Sequence, residues 1–294
     1  MSSPTPFQVH RPRLLRLAHR MLGSAADAED IVQDAFVRLH QANDAQELRS
    51  TEAWLVTVVT RLAIDKLRGA KLERRSYVGP WLPEPWMTGQ GNEAERGAPD
   101  AAAGAHEELS YAALVLLERL SPEERAVFLL RDVYDVDYPV VAEALGKSEA
   151  ACRQLLHRAR ERLAEGRPRH TSTASERLDL LRRFQAAAQA QDDRALTALL
   201  APGVTYTPDG GGKVFASPRV LEGVARIVNL VLTSTRKATG RELVVTLADG
   251  EPAIVSYRGD EVYSLTFLEA DASGIVAVYR IFNPEKLRRV PASP

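Results

Sequence analysis

The stretch from Tyr138 to Arg160, YPVVAEALGKSEAACRQLLHRAR, constrains the fold of this chain more than any other. Val141, Ala142 and Leu145 form a short apolar face, Gly146 suits the left-handed turn that closes a helix, and Ser148 is a natural N-cap for the next. The spacing predicts two short helices around a tight turn. In the second, Ala151, Cys152, Leu155, Leu156 and Ala159 supply the buried stripe and leave Glu149, Ala150, Arg153, Gln154, His157 and Arg158 facing outward. Arg153 and Gln154 have the donor geometry to read base edges, and the arginines at 153, 158, 160 and 162 suit phosphates. A DNA-reading helix pair is the sharp reading; a surface helix of a bundle is the plain one. Ser121-Pro122-Glu123-Glu124, an N-cap, a first-turn proline and a capping-box glutamate, opens a preceding helix with Ala126, Val127, Leu129 and Leu130.

A DNA surface on this chain requires segregated charge, because 38 Lys and Arg face 39 Asp and Glu overall. The rows show that segregation: residues 1–75 hold 12 basic against 9 acidic side chains, 151–169 hold 6 against 2, and 106–150 hold 4 against 10. The single cysteine, Cys152, excludes an internal disulfide and a cysteine metal cluster, and its place on the apolar stripe favours a buried small hydrophobe over a redox sensor. We expect no metal and no cofactor. No apolar run approaches membrane-spanning length and no signal-peptide core precedes Arg11, so the expected compartment is the cytoplasm, with no membrane partner.

Residues 1–76 read as a helical domain. A first helix carries Leu14, Leu15, Ala18, Met21 and Leu22 and ends at Gly23; Ser24 caps a second, with Asp27 as capping-box partner, on which Ile31, Val32, Ala35, Phe36 and Leu39 recur. Residues 41–50 read as a polar loop before a third helix with Trp54, Leu55, Val58, Val59, Leu62 and Ala63. Prolines and glycines mark 77–105 as a linker, but Trp81-Leu82-Pro83-Glu84-Pro85-Trp86 is too apolar for a free tether and is expected to dock on a domain surface. Residues 106–169 form the second helical domain. From 170 to 294 two helices lead to strand-like segments at 203–207, 241–248, 252–258, 261–269 and 274–282, with an apolar helix near 218–232; helices followed by antiparallel strands predict an α+β domain.

The first two domains together resemble the extracytoplasmic-function sigma factors of bacterial RNA polymerase. Asp27 through Leu39 is similar to the region-two helix that docks on the polymerase clamp, which implies a polymerase-binding role for Asp30, Gln33, Asp34 and Arg38. Trp54-Leu55 through Ile64-Asp65-Lys66-Leu67-Arg68 resembles the next helix, which with the loop before it engages the minus-ten element. That implies DNA contacts for Asn43, Asp44, Arg61, Lys66 and Arg68, the loop supplying a pocket for an extruded base; a plain helix connector is its other reading. Ser148 through Arg160 resembles the region-four helix that enters the minus-thirty-five major groove, so Ser148, Glu149, Ala150, Arg153, Gln154, His157, Arg158 and Arg160 are its candidate DNA contacts.

The last third resembles a SnoaL-like domain, a cone-shaped α+β fold shared with small polyketide cyclases and ketosteroid isomerases. Three segments look like signatures of sigma factors fused to it: Trp81, Leu82 and Pro83 in the linker, Asp209-Gly210-Gly211-Gly212-Lys213, and the tail Asn283-Pro284-Glu285-Lys286-Leu287. Glu285 stands where the family pattern has aspartate. The glycine run is either an interdomain contact or a hairpin tip. The implied function is an alternative sigma factor that binds polymerase core and promoter DNA, regulated in cis by this domain without a separate anti-sigma protein. An enzyme built on the cone, with Asp209, Tyr206, Tyr257 and Tyr263 as candidates, is the competing class; Asp209 in a glycine loop would be poorly preorganised as a base, and no His-carboxylate pair is evident, so we expect no catalysis. A small ligand held in the cone's cavity is a third reading, open because the lining depends on which strand face points inward.

Overall fold

In the computed structural model of the protein, described for residues 6–43, 50–87, 109–165, 173–238 and 240–292, the apolar periodicities fold into two units. Described residues of the first fall within 6–75 and 113–165, with Leu109; those of the second are 76–87, 110–112 and 173–292.

The first unit begins with α1 (Pro6–Leu22), α2 (Ala25–Asn43) and α3 (Thr51–Arg75). Gly23 takes φ 67° at the α1 terminus, and the Ser24 hydroxyl accepts the Asp27 amide at 3.3 Å, so the α1–α2 corner forms where the glycine and cap predict it. Leu14, Ala18, Met21, Ile31, Ala35, Leu55, Val59 and Ala63 are all buried between these helices. Helix α2 runs to Asn43, further than the polar character of 41–50 predicts. Asp44 and the Asn43 side chain lie outside the described residues.

After α4 (Tyr111–Leu117), helix α5 (Pro122–Phe128) opens with the complete Ser121/Glu124 capping box and passes into a π-helical turn at Leu129–Val133. Then α6 (Tyr138–Leu145) and α7 (Glu149–Ala164) meet around Gly146, at φ 63° and ψ 36°, with the Ser148 hydroxyl accepting the Ala151 amide at 3.2 Å. Cys152, Leu155, Leu156, Ala159 and Leu163 are buried, and burial pushes the Cys152 thiol up. Within this unit Arg125, itself buried, donates to the Met21 carbonyl at 2.7 Å and to Glu118 at 2.9 Å. Arg13 and Arg20 donate to the carbonyl and hydroxyl of Tyr134 at 2.9 and 3.0 Å. The two helical modules are therefore packed together.

The second unit carries α8 (Ala174–Gln189), α9 (Asp193–Leu199), β1 (Leu200–Asp209), β2 (Leu221–Glu222), α10 (Val224–Arg236), β3 (Arg241–Ala248), β4 (Glu251–Arg258), β5 (Glu261–Asp271) and β6 (Gly274–Ile281). The strand order is β2-β1-β6-β5-β4-β3. Four of the pairings are antiparallel, but β1 and β6 run parallel, which corrects the purely antiparallel expectation. Chain order hides this pairing, because the long connection returns to lay the last strand beside the first. Leu181, Phe184, Leu196, Ile227 and Val231 from the helices pack on Val204, Ile254, Leu268 and Val278 from the sheet. No helix among the described residues is long and apolar enough to cross a membrane.

Candidate functional site

Asp209 ends β1 and is completely buried, so its carboxylate must be compensated in place. Three donors do so: the Tyr77 hydroxyl at 2.5 Å, the Leu82 backbone amide at 2.8 Å and the Lys286 ammonium at 2.7 Å. Lys286 also donates to the Leu82 carbonyl at 2.6 Å and lies 3.3 Å from the Trp81 ring centroid, a cation over an aromatic face. The Asn283 side-chain amide donates to the Tyr77 oxygen at 3.0 Å, and the Asp209 carbonyl accepts the Phe282 and Asn283 amides. Burial, then the bond to Asp209, pushes the Tyr77 hydroxyl far above its ordinary pKa and keeps it a donor.

This clasp joins all three sequence signatures inside the second unit. The glycines have a steric reason: a Cβ at Gly211, where φ is 57°, would sit 2.3 Å from Asn283 Nδ2, and one at Gly210 would meet the Val214 carbonyl at 2.8 Å. Gly212 faces Val78 in the same way. Lys213 pairs with Glu285 at 3.2 Å, so the residue that departs from the family pattern still reaches its lysine. Leu287 is buried and Pro284 exposed. The glycine run opens the 210–220 connection between β1 and the short antiparallel β2, so it belongs to a hairpin connection and to the clasp at once. Asp209 is correspondingly held rigidly, which overturns the expectation of a poorly organised loop residue, yet its held carboxylate leaves no free base there.

The rest of the linker follows. Leu82 and Pro83 are buried, and Trp86 exchanges bonds with Asp249: its amide donates to the carboxylate at 3.0 Å and its carbonyl accepts the Asp249 amide at 2.6 Å. Tyr111 stacks on Phe267 at 3.8 Å, donates its hydroxyl to the Pro83 carbonyl at 2.8 Å and its amide to Glu251 at 2.9 Å. Tyr77 and Tyr111 were not singled out by the sequence, which carries no local signal for tyrosines that bond Asp209 and Glu251, each over a hundred residues away.

In the first unit Ser148, Ala150, Arg153, Gln154, His157, Arg158 and Arg160 share the exposed side of α7, with Glu149 half-buried. Several have carboxylate partners: Arg153 pairs with Glu149 at 2.7 Å, Arg158 with Glu124 at 3.8 Å and Arg160 with Asp132 through two nitrogens at 2.8 and 2.7 Å, while His157 Nδ1 lies 3.2 Å from the Glu161 carboxylate. That bidentate pair raises the Arg160 pKa. On α3, Arg61 donates to the Glu143 and Ala144 carbonyls at the end of α6, Lys66 pairs with Asp27, and Arg68 pairs with Asp65 and Glu123. Asp30, Gln33, Asp34 and Arg38 line the exposed face of α2 together with Val37, an apolar residue 53% exposed there that the charge pattern does not single out.

Comparison with known proteins decides the family. Residues 7–73 match the model of Sigma-70 region 2, and residues 111–163 that of Sigma-70 region 4. The ECF RNA polymerase sigma factor SigJ of Mycobacterium tuberculosis is 36% identical, over 97% of this chain and 93% of that protein. The chain belongs to the ECF sigma factors. The probable ECF sigma factor SigI of the same species is 30% identical over 96% of this chain and 93% of its own length. The crystal structure of M. tuberculosis SigJ superposes with a TM-score of 0.75 at 34% identity, covering 96% of this chain and 97% of that one, so the likeness includes the α+β domain. As a sigma factor the protein is a transcription initiation subunit for RNA polymerase, and its helical modules are the region-two and region-four domains.

Proposed function

We propose that this sigma factor engages two promoter elements through its two helical modules and is controlled in cis by its C-terminal domain, with no separate anti-sigma protein. The α2 face of Asp30, Gln33, Asp34 and Arg38 meets the polymerase. Arg61, Lys66, Arg68, Asn43 and Asp44 serve the minus-ten element; α7, from Ser148 to Arg160, reads the minus-thirty-five groove, with Arg153 and Gln154 on bases and Arg158 and Arg160 on phosphates. The observation that carries the control reading is the Asp209 clasp: Tyr77 and Leu82, from the segment that joins region two to region four, are bonded to the same carboxylate as Lys286. Opening that clasp would release residues 77–86 from the C-terminal domain and so alter how the connection between the two promoter-reading modules is held.

The test is transcription by polymerase core with the full chain, with Lys286→Met and with a form ending near Arg169. Output that departs from that of the full chain by about fivefold or more in both altered forms, at unchanged promoter preference, supports cis control. Equal output from all three removes it. Substitution of Arg153 by Ala is expected to relax minus-thirty-five preference, at a cost of about 1–3 kcal/mol against the preferred base. Unchanged preference would mean that another face of α7 reads the DNA.

A further inference from the structure

Between α8, α10 and the concave face of the sheet lies a cavity of about 230 Å³, and a second of about 290 Å³ adjoins it toward Phe215 and Phe282. Tyr206, Ser234, Arg241 and Arg280 line both, so these four form the partition. The register explains the lining: Leu243 faces Ser256, Ile254 faces Thr266, Thr266 faces Arg280 and Tyr206 faces Val278 across neighbouring strands, all on one side of the pleat.

Three observations bear on what this space takes. First, Arg241 and Arg280 have no carboxylate partner among the described residues. Arg280 donates to Ser264 at 3.2 and 3.1 Å and lies over the Phe282 ring; Arg241 lies 3.6 Å from the centroid of Tyr263. Aromatic faces and a hydroxyl hold both guanidiniums in place without neutralising them. Second, Ser256 is buried at 2% exposure, lines the inner cavity, and its hydroxyl oxygen has no hydrogen-bond partner. A buried unsatisfied hydroxyl costs about 1–3 kcal/mol, so it calls for a partner that the cavity supplies. Third, Phe184, Ala188, Val231, Leu243, Ile254 and Val278 give the inner cavity an apolar wall beside the neutral polar side chains of Gln185, Gln189, Thr235 and Thr266, and no Asp, Glu or His is among the described lining.

We propose that the C-terminal domain binds a small monoanion with an apolar body, a carboxylate on a ring or short chain, its charge held by Arg241 and Arg280, its second oxygen reached by Ser256, and its body on the Phe184–Val231 wall. Guanidiniums suit this role because their planar fork bonds a carboxylate through two nitrogens. The volume is below the usual range of ligand pockets, about 300–1,000 Å³, which limits the body to one or two rings or a short chain. The lining holds no acid-base pair, so the site binds rather than catalyses. It is independent of the clasp: failure of either leaves the other standing.

The experiment is calorimetry and thermal unfolding of the full chain with 1-naphthoate, decanoate and cinnamate, each against its uncharged amide, and with inorganic phosphate. At least one carboxylate is expected to bind about tenfold or more tighter than its amide and to raise the melting temperature, while phosphate alone has no effect. Arg241→Gln should weaken that carboxylate about tenfold. If it does not fold, Arg241→Lys should still weaken it about threefold, because the fork is lost. Ser256→Ala should weaken the carboxylate and raise the melting temperature of the ligand-free chain, the orphan hydroxyl being gone. No binding by any of the three acids, amides binding as well as acids, phosphate binding as well as acids, or full affinity in both Arg241 variants each overturns the proposal.

Discussion

The clasp around Asp209 and the charged faces of α3 and α7 use the same residue types in opposite ways. Lys286 and Asp209 are 8% and 0% exposed, whereas Arg160 is 61% exposed, Arg68 56% and Lys66 46%. A buried pair is fixed, since removal of one partner strands a charge in a dry site; an exposed pair is exchangeable, worth about 1 kcal/mol or less and screened by salt. Asp27, Glu123 and Asp132 therefore occupy Lys66, Arg68 and Arg160 without committing them, and DNA phosphates compete for the same nitrogens at small cost. The clasp cannot be traded in that way.

That contrast is sharpest in the loss of Lys286. Lys286→Met leaves Asp209 with the Tyr77 hydroxyl and the Leu82 amide alone, and should cost about 3–5 kcal/mol in urea unfolding, with a change in Trp81 fluorescence. The double variant with Asp209→Asn should recover much of this, because the stranded charge is gone. A loss no larger than that of an exposed pair would erase the distinction between the two regions.

Next is a pH effect in the same unit. Burial, with Glu251 beside it and a smaller push from Asp271 against the pull of Arg177, raises Glu269 to about 7. A raised folded pKa means that the folded state holds the proton more tightly. Its stability is therefore fully present below the unfolded value near 4.5 and lost as pH rises through about 7. Glu269→Gln should match the parent near pH 4 and exceed it at pH 8 by on the order of 3 kcal/mol in denaturant midpoints taken at both values. Equal differences at both pH values would show that the carboxyl is not protonated by its surroundings.

Gly211→Ala should follow, at about 1–3 kcal/mol, from the left-handed backbone and the contact with Asn283. The smallest stability effect belongs to Arg160→Ala, within about 1 kcal/mol, although it should lower the salt dependence of promoter binding by about one unit of slope for all sequences alike. A large stability loss there would make the Arg160–Asp132 pair a fixed element like the clasp.

Much of this was legible locally. Gly146 and Ser148, Ser121 and Glu124, and Gly23 and Ser24 mark helix corners through short-range bonds that a sequence displays, and the apolar Trp81–Trp86 run announces docking because apolar surface does not stay in water. What stayed hidden depends on long-range pairing. The parallel β1–β6 pair carries Asp209 next to Asn283; without it neither the role of Tyr77 nor the tight space around Gly211 follows. The cavity was hidden for the same reason: Arg241, Ser256 and Arg280 become neighbours only once the register sets which face of each strand points inward.

The most direct test of the central claim is promoter-directed transcription by polymerase core with the parent chain and with Lys286→Met, alongside Trp81 fluorescence to establish that the clasp has opened. The account predicts that output shifts by about fivefold or more while promoter preference stays the same. An open clasp with unchanged output would contradict it.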